Sequence, residues 1–438
     1  MEIARTILND LRAWQNSPYR KPLVLQGARQ VGKSWVLNQF GKLCFANTIY
    51  VNFDAQVELK ADFARTKDPK RILQMLSWTC GQKIEPQRTL IIFDEVQECN
   101  DALNSLKYFC EQMPEYAIVC AGSLLGVALN RGGTSFPVGK VDFMQLYPIS
   151  FQEYLNAVSP HLSQVLSSVN SVEPLPELLH AQLLDSYKVY LVLGGMPEVV
   201  SRYADTHDWT QADAVQAEIL KAYAFDFSKH INNKDIPRVY SVWANIQEQL
   251  ARDNRKFRYG DIQKGARARE YENAIEWLCL AGLVHRVCAV STPRLPLSAY
   301  KNSSFFKLYL SDVGLLCNKF ALNPSAILTG DKLFTEFKGV LSENYALLSL
   351  VRQFGGEQFY WTSGNTAEVE FLLQCDNRII PIEVKSGNSV TAKSLSEYRK
   401  KYQPEMAIRL STRNLQQDNG LLNLPLYLAD RLKELIGW

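Results

Sequence analysis

The stretch Leu23-Val24-Leu25-Gln26-Gly27-Ala28-Arg29-Gln30-Val31-Gly32-Lys33-Ser34 decides how the chain is read. A short apolar run enters an octapeptide, Gly27 to Ser34, that fits the phosphate-binding pattern G-x-x-x-x-G-K-[ST]. Gly27 and Gly32 permit a tight bend and a close approach of the backbone to a phosphate. The main-chain N–H groups of Gly27, Ala28, Arg29, Gln30, Val31, Gly32, Lys33 and Ser34 are then expected to face an anion at the positive end of a helix beginning near Gly32. Lys33 is expected to reach the β- and γ-phosphates of ATP, and Ser34 to ligate Mg²⁺ through its hydroxyl.

Around this stretch, apolar runs and helical periodicities alternate. Ile3, Ile7, Leu8, Leu11 and Trp14 recur at helical spacing and predict an amphipathic helix over residues 1–20 that covers a sheet edge. Strands are predicted at Thr48–Phe53, Leu90–Phe93, Ala117–Cys120 and Val141–Leu146, with a helix over Ala102–Gln112. The run Leu90-Ile91-Ile92-Phe93 has no polar alternation, as expected of a parallel strand buried on both faces. The predicted fold of residues 1–148 is therefore a doubly wound α/β domain with ligands at the carboxyl ends of its strands. Residues 149–240 read as a helical lid or linker region, with a polar surface excursion at Ser163–Pro176 and a tight turn at Gly194-Gly195-Met196-Pro197. Residues 241–328 read as a winged-helix-like module of helices and a hairpin, and residues 329–438 as a mixed α/β domain.

Composition narrows the class. The chain has 438 residues, 47% hydrophobic and 11% aromatic, enough to build several packed cores and too apolar for a disordered protein. A net charge of +3 neither requires nor excludes nucleic acid, so charge is weighed by region. The nine cysteines include no C-x-x-C pair, and reduced thiols are expected. The five histidines are too scattered for a histidine metal site. There is no apolar leader and no run near the roughly 18 apolar residues of a membrane span. A cytoplasmic protein without a membrane partner is expected.

Asp94-Glu95 follows the apolar run at Phe93 and reads as a Walker B pair. Asp94 is expected to hold Mg²⁺ and Glu95 to polarise the attacking water, since phosphoryl transfer needs chiefly positioning and charge neutralisation. Ser123 ends the next strand. If that strand is inserted between the other two, Ser123 is placed to sense the γ-phosphate. Arg131, Arg202 and Lys140 are candidates for a cation acting in trans.

With these residues in hand, the chain resembles a large group of prokaryotic AAA-family ATP-binding proteins that carry a C-terminal domain of unknown function. The resemblance rests on Lys21-Pro22-Leu23 through Ser34 and on Phe93-Asp94-Glu95-Val96-Gln97. It extends through Tyr147-Pro148-Ile149-Ser150-Phe151-Gln152-Glu153 and Gly194-Gly195-Met196-Pro197-Glu198 to Pro296-Leu297-Ser298 and Lys307-Leu308-Tyr309-Leu310-Ser311-Asp312-Val313-Gly314. It implies an ATP-binding AAA-type domain, and the leading reading is that ATP switches the C-terminal half. Gly139-Lys140 departs from the Gly-Arg often found in the group, and lysine cannot make arginine's planar bidentate contact.

Two C-terminal features suggest what ATP controls. Arg252, Arg255, Lys256, Arg258, Lys264, Arg267 and Arg269 cluster in residues 252–269 with Phe257 and Tyr259 between them, a candidate surface for DNA or RNA. Ile382-Glu383-Val384-Lys385 places Glu383 and Lys385 on one face of a strand. With Glu370 and Glu343 this looks like the restriction-endonuclease-type PD-(D/E)xK core, although the group usually has Asp where Glu370 stands. That resemblance implies Mg²⁺-dependent cleavage. Three readings follow: an ATP-hydrolysing switch, a non-hydrolysing nucleotide-gated binding module, and an ATP-controlled nuclease. A protein partner and an oligomeric assembly stay open.

Overall fold

The computed structural model describes residues 2–122, 127, 137–231, 233–252, 254–322, 332–364, 367–387 and 393–438. Contacts divide the chain into two compact units: Arg5–Tyr147 with Leu280–Gly282, and chiefly Pro148–Cys279 with Leu283–Trp438.

The first unit is built on β1 (Leu23–Gln26), β2 (Asn47–Asn52), β3 (Thr89–Asp94), β4 (Ala117–Ala121) and β5 (Asp142–Gln145). They form a parallel sheet in the order β2-β3-β4-β1-β5. Every residue of β3 and β4 is buried, which is why their sequences run apolar without alternation. The crossover order inserts β4 between β1 and β3. The first helix spans only Ile7–Gln15, shorter than the predicted 1–20. Asn16-Ser17-Pro18 supplies turn chemistry, and a residue before proline resists the helical conformation. The helix buries Ile7, Leu11 and Trp14, and the Trp14 ring packs 6.3 Å from Phe40 of the helix Lys33–Cys44.

In the second unit the predicted helical region holds helices at Phe151–Val158, Pro160–Ser168, Glu177–Leu193, Pro197–Thr206 and Trp209–His230. The helix Pro160–Ser168 corrects the expectation of a surface excursion from Ser163. Pro160 begins the helix, and Leu162 and Leu166, one turn apart, bury their side chains. Three of the resemblance motifs meet in one backbone crossing. The Ile149 N–H donates to the Gly195 carbonyl at 2.7 Å, the Tyr190 hydroxyl to the Ile149 carbonyl at 2.5 Å, and the Gly195 N–H to Asp312 Oδ2 at 2.6 Å. Asp312 Oδ1 caps the helix Val313–Lys319 by accepting from the Leu315 N–H at 2.9 Å.

The remaining strands are β6 (Val284–Val290), β7 (Lys301–Leu310), β8 (Gln358–Thr362), β9 (Glu368–Cys375), β10 (Arg378–Lys385), β11 (Ala407–Ser411), β12 (Gln416–Asp418) and β13 (Leu421–Pro425). They form one eight-stranded mixed sheet in the order β12-β13-β11-β10-β9-β8-β6-β7. The hairpin expected in the 241–328 module exists as β6–β7, but β6 also pairs in parallel with β8. The strands of the two expected C-terminal modules thus share one hydrogen-bonded sheet. The helix Lys332–Phe354 packs on that sheet through contacts with β10.

Candidate functional site

The phosphate-loop residues form a turn between β1 and the helix Lys33–Cys44, as the motif requires. A Cβ on Gly27 would lie 2.4 Å from the Leu146 carbonyl oxygen, so only glycine lets the loop pass the end of β5. Arg5 ties the loop to the same chain end. It donates to the Val31 carbonyl at 3.0 Å and to the Tyr147 carbonyl at 2.6 Å. Lys33 is buried and donates to the carbonyls of Gly27 and Ala28, both at 2.8 Å. Burial pulls its ammonium down to about 8, against the opposing charges of Glu95 and Asp94. The Ser34 side chain stands at the start of the same helix, partly exposed.

Asp94 ends β3 and is 3% exposed. Oδ1 accepts from the Glu95 N–H at 3.0 Å and Oδ2 from the Tyr50 hydroxyl at 2.5 Å. Glu95 takes a left-handed φ of +49°, so the chain turns sharply and the two acids leave the strand in different directions. The Gln97 side-chain amide donates to Glu95 Oε2 at 2.5 Å and fixes that carboxylate. Buried Asp94 and partly exposed Ser34 offer the hard oxygen donors that suit Mg²⁺.

The sheet therefore brings Lys33, Ser34, Asp94 and Glu95 to one end of the first unit. β4, which leads to Ser123, lies between β1 and β3, but Ser123 itself falls outside the described residues, as does Arg131. Lys140 is bonded to Glu111 at 2.9 Å, and Arg202 lies on the helix Pro197–Thr206 in the second unit. Sequence reasoning missed Tyr50, Gln97 and Arg5. Tyr50 had a legible signal: it alternates with the buried Ile49 and Val51, so it faces the opposite side of β2 from the core. Arg5 had none, because its partners lie 26 and 142 residues away.

The C-terminal carboxylates lie in a charged cluster within the second unit. Lys385 bonds Glu383 at 2.6 Å and lies 3.9 Å from Glu370, whose Oε2 accepts from the Val384 N–H at 3.2 Å. Burial and the neighbouring charge of Glu370 push the Glu383 carboxyl up to about 7. Glu343 is 1% exposed and belongs to a different set of partners: Arg255, Tyr309 and Lys307, the last at 3.2 Å. Lys307 also bonds Glu368 at 2.5 Å, and Lys256 lies 3.7 Å from Glu368. Arg255, Lys256, Lys307 and Lys385 thus match Glu343, Glu368, Glu370 and Glu383 charge for charge. Among the described residues, no group of three or more His, Cys, Asp or Glu side chains is arranged to hold a metal ion. The expectation that Glu343, Glu370 and Glu383 share one ion does not fit this arrangement, because the chain's own cations stand against the carboxylates.

The basic segment is divided as well. Arg252 pairs with Asp261, while Arg255 and Lys256 turn into the carboxylate cluster. Lys264, Arg267 and Arg269 stay exposed. Lys264 lines an open cleft of about 460 Å³ with Lys234, Arg238 and Tyr271. No helix among the described residues is long and apolar enough to cross a membrane.

Residues 19–155 match the model of an AAA domain family. Residues 184–326 and 338–428 match two families described only as domains of unknown function. The chain therefore carries an AAA-type P-loop domain of the ATPase class in its N-terminal part. None of the curated proteins compared with the chain matches it. Among solved structures, the chain is similar to the Walker-type ATPase PABY2304 of Pyrococcus abyssi at 16% identity and a TM-score of 0.45, over 73% of this chain and 96% of that one. The ORC2 protein of Aeropyrum pernix matches at 11% identity and a TM-score of 0.35, over 75% of this chain and 95% of that one. The RuvB branch-migration motor of Thermotoga maritima matches at 15% identity and a TM-score of 0.28, over 67% and 91%.

Proposed function

We propose that the Arg5–Tyr147 unit binds ATP with Mg²⁺ and hydrolyses it, and that the nucleotide state switches a nucleic-acid- or protein-binding activity of the C-terminal half. The observation that carries the first part is the meeting of Lys33, Ser34, Asp94 and Glu95 at the carboxyl ends of β1 and β3, with Glu95 held by Gln97. The loop N–H groups and Lys33 receive the phosphates. Ser34 and Asp94 hold the metal, which when bound neutralises charge on the phosphate oxygens. Glu95 orients the attacking water in line with the γ-phosphate.

ATP binding and turnover, measured with Lys33→Ala and Glu95→Gln, test this function. Lys33→Ala is expected to lose ATP binding, and Glu95→Gln to bind ATP while losing turnover by at least about a hundredfold. Tight ATP binding by Lys33→Ala, or undiminished turnover by Glu95→Gln, would reject the assigned roles. A wild type that binds ATP without turning it over, with or without nucleic acid, would favour the non-hydrolysing gated module. For the C-terminal half, the exposed cations Lys264, Arg267 and Arg269 support an anionic polymer as partner. Mg²⁺-dependent cleavage at Glu343, Glu370, Glu383 and Lys385 has less support, because Arg255 and Lys307 already pair with Glu343 and Lys385 with Glu383.

A further inference from the structure

Tyr50 is a side chain at the nucleotide site that the phosphate-transfer roles leave unused. The parallel register sets Tyr50 beside Ile92 and Asn52 beside Asp94, so Tyr50, Asn52 and Asp94 share a face of the sheet. The phenol reaches along that face to Asp94 Oδ2 at 2.5 Å. The phenolic oxygen thus touches Asp94, one of the two residues assigned to the metal. The other oxygen of Asp94 is held by the Glu95 N–H, so Tyr50 supplies the remaining donor to a carboxylate that is almost wholly buried.

We propose that the Tyr50 hydroxyl is a built-in placeholder for the divalent cation: it holds Asp94 in position before the metal arrives and is displaced when the cation enters with the nucleotide. This rests on the assignment of Ser34 and Asp94 as the metal-holding residues. The chemistry suits the role. A buried carboxylate needs a donor, and an ammonium or guanidinium in that place would compete with the cation as a full charge. Lys33 makes no such pair, because its Nζ is held by loop carbonyls. A phenol is neutral, so it satisfies Asp94 and yields to a doubly charged ion. The Tyr50 side chain also has somewhere to go, since the residue stays 36% exposed on the edge strand of its sheet.

Two measurements on the full chain test the placeholder. In the first, affinities for Mn²⁺·ATP and for ATP in EDTA are compared for wild type and Tyr50→Phe. The ratio of the two affinities is expected to rise roughly tenfold in the variant, the worth of one charge-assisted hydrogen bond that the ion no longer has to break. A ratio that falls or stays unchanged would overturn the placeholder, a fall marking Tyr50 as a group that orients Asp94 for the bound ion. In the second, 3-fluorotyrosine is placed at position 50 of the otherwise unaltered chain. Its ¹⁹F resonance is expected to shift when Mg²⁺ is added to the ATP-bound protein and to stay in place with ATP in EDTA. A resonance unmoved by Mg²⁺ would equally overturn displacement. Failure of wild type to bind ATP in either condition would instead reject the nucleotide site itself, and the placeholder with it.

Discussion

Single side chains at both sites take their chemistry from the groups they bond. Gln97 bonds the Glu95 carboxylate and is argued to act through it, so it is a positioning residue. Gln97→Ala is expected to lower kcat about tenfold with little change in the KM for ATP, because misdirecting Glu95 affects the transition state more than binding. Steady-state turnover checks this, and a change confined to KM would show that Gln97 acts in binding. Glu383 offers a test by pH. Its folded-state value is raised from an ordinary 4.5 to about 7, so the native state takes up this proton more readily than the unfolded chain. The stability linked to it is fully present below about 4.5 and is lost as pH rises through about 7. Glu383→Gln, which mimics the protonated form, is expected to gain on the order of 1–3 kcal/mol relative to wild type between pH 5 and pH 8. Denaturation midpoints across that range read the difference, and a gap that does not change with pH would place the shift elsewhere.

Elements meet through glycine where the resemblance motifs cross. The turn Gly194-Gly195 brings the end of the helix Glu177–Leu193 against Ile149 and Asp312. A Cβ on Gly195 would lie 2.1 Å from the Ile149 carbonyl oxygen, a backbone atom with little freedom to retreat. Gly195→Ala is therefore expected to destabilise the second unit by about 3 kcal/mol through overpacking. A change in thermal midpoint of less than a degree would show that the crossing can relax. The motif Gly194-Gly195-Met196-Pro197 was legible as a turn, and Pro197 does begin the next helix. Its reason was not legible, because Ile149 and Asp312 are far from it in sequence. The helix Pro160–Ser168 was hidden by polar serines, and two buried leucines outweigh them.

At the scale of the whole molecule, charge decides which surfaces stay open to partners. The basic segment looked continuous in sequence, but the fold uses Arg255 and Lys256 internally and leaves Lys264, Arg267 and Arg269 outside. Reversing all three, Lys264→Glu with Arg267→Glu and Arg269→Glu, is expected to weaken binding to mixed-sequence DNA or RNA at least about tenfold. It should also reduce the salt slope of log K by roughly 2–3 units. Equal affinity and equal slope in the variant would remove this face as the nucleic-acid surface and favour a protein partner.

The sequence by itself determined the class of the first unit. The order of apolar runs, the glycine-bounded loop, Lys33-Ser34 and Asp94-Glu95 are local in the chain, and a parallel sheet must bring the ends of its strands to one edge. It also placed Glu370, Glu383 and Lys385 near one another, because neighbouring strands and period-two alternation are short-range rules. Only the tertiary structure decided what those groups touch. Tyr50 on Asp94, Arg5 on the loop, and Arg255 and Lys307 on Glu343 join residues tens to more than a hundred positions apart. A buried charge takes whatever partner the fold carries to it, and no local pattern records that choice.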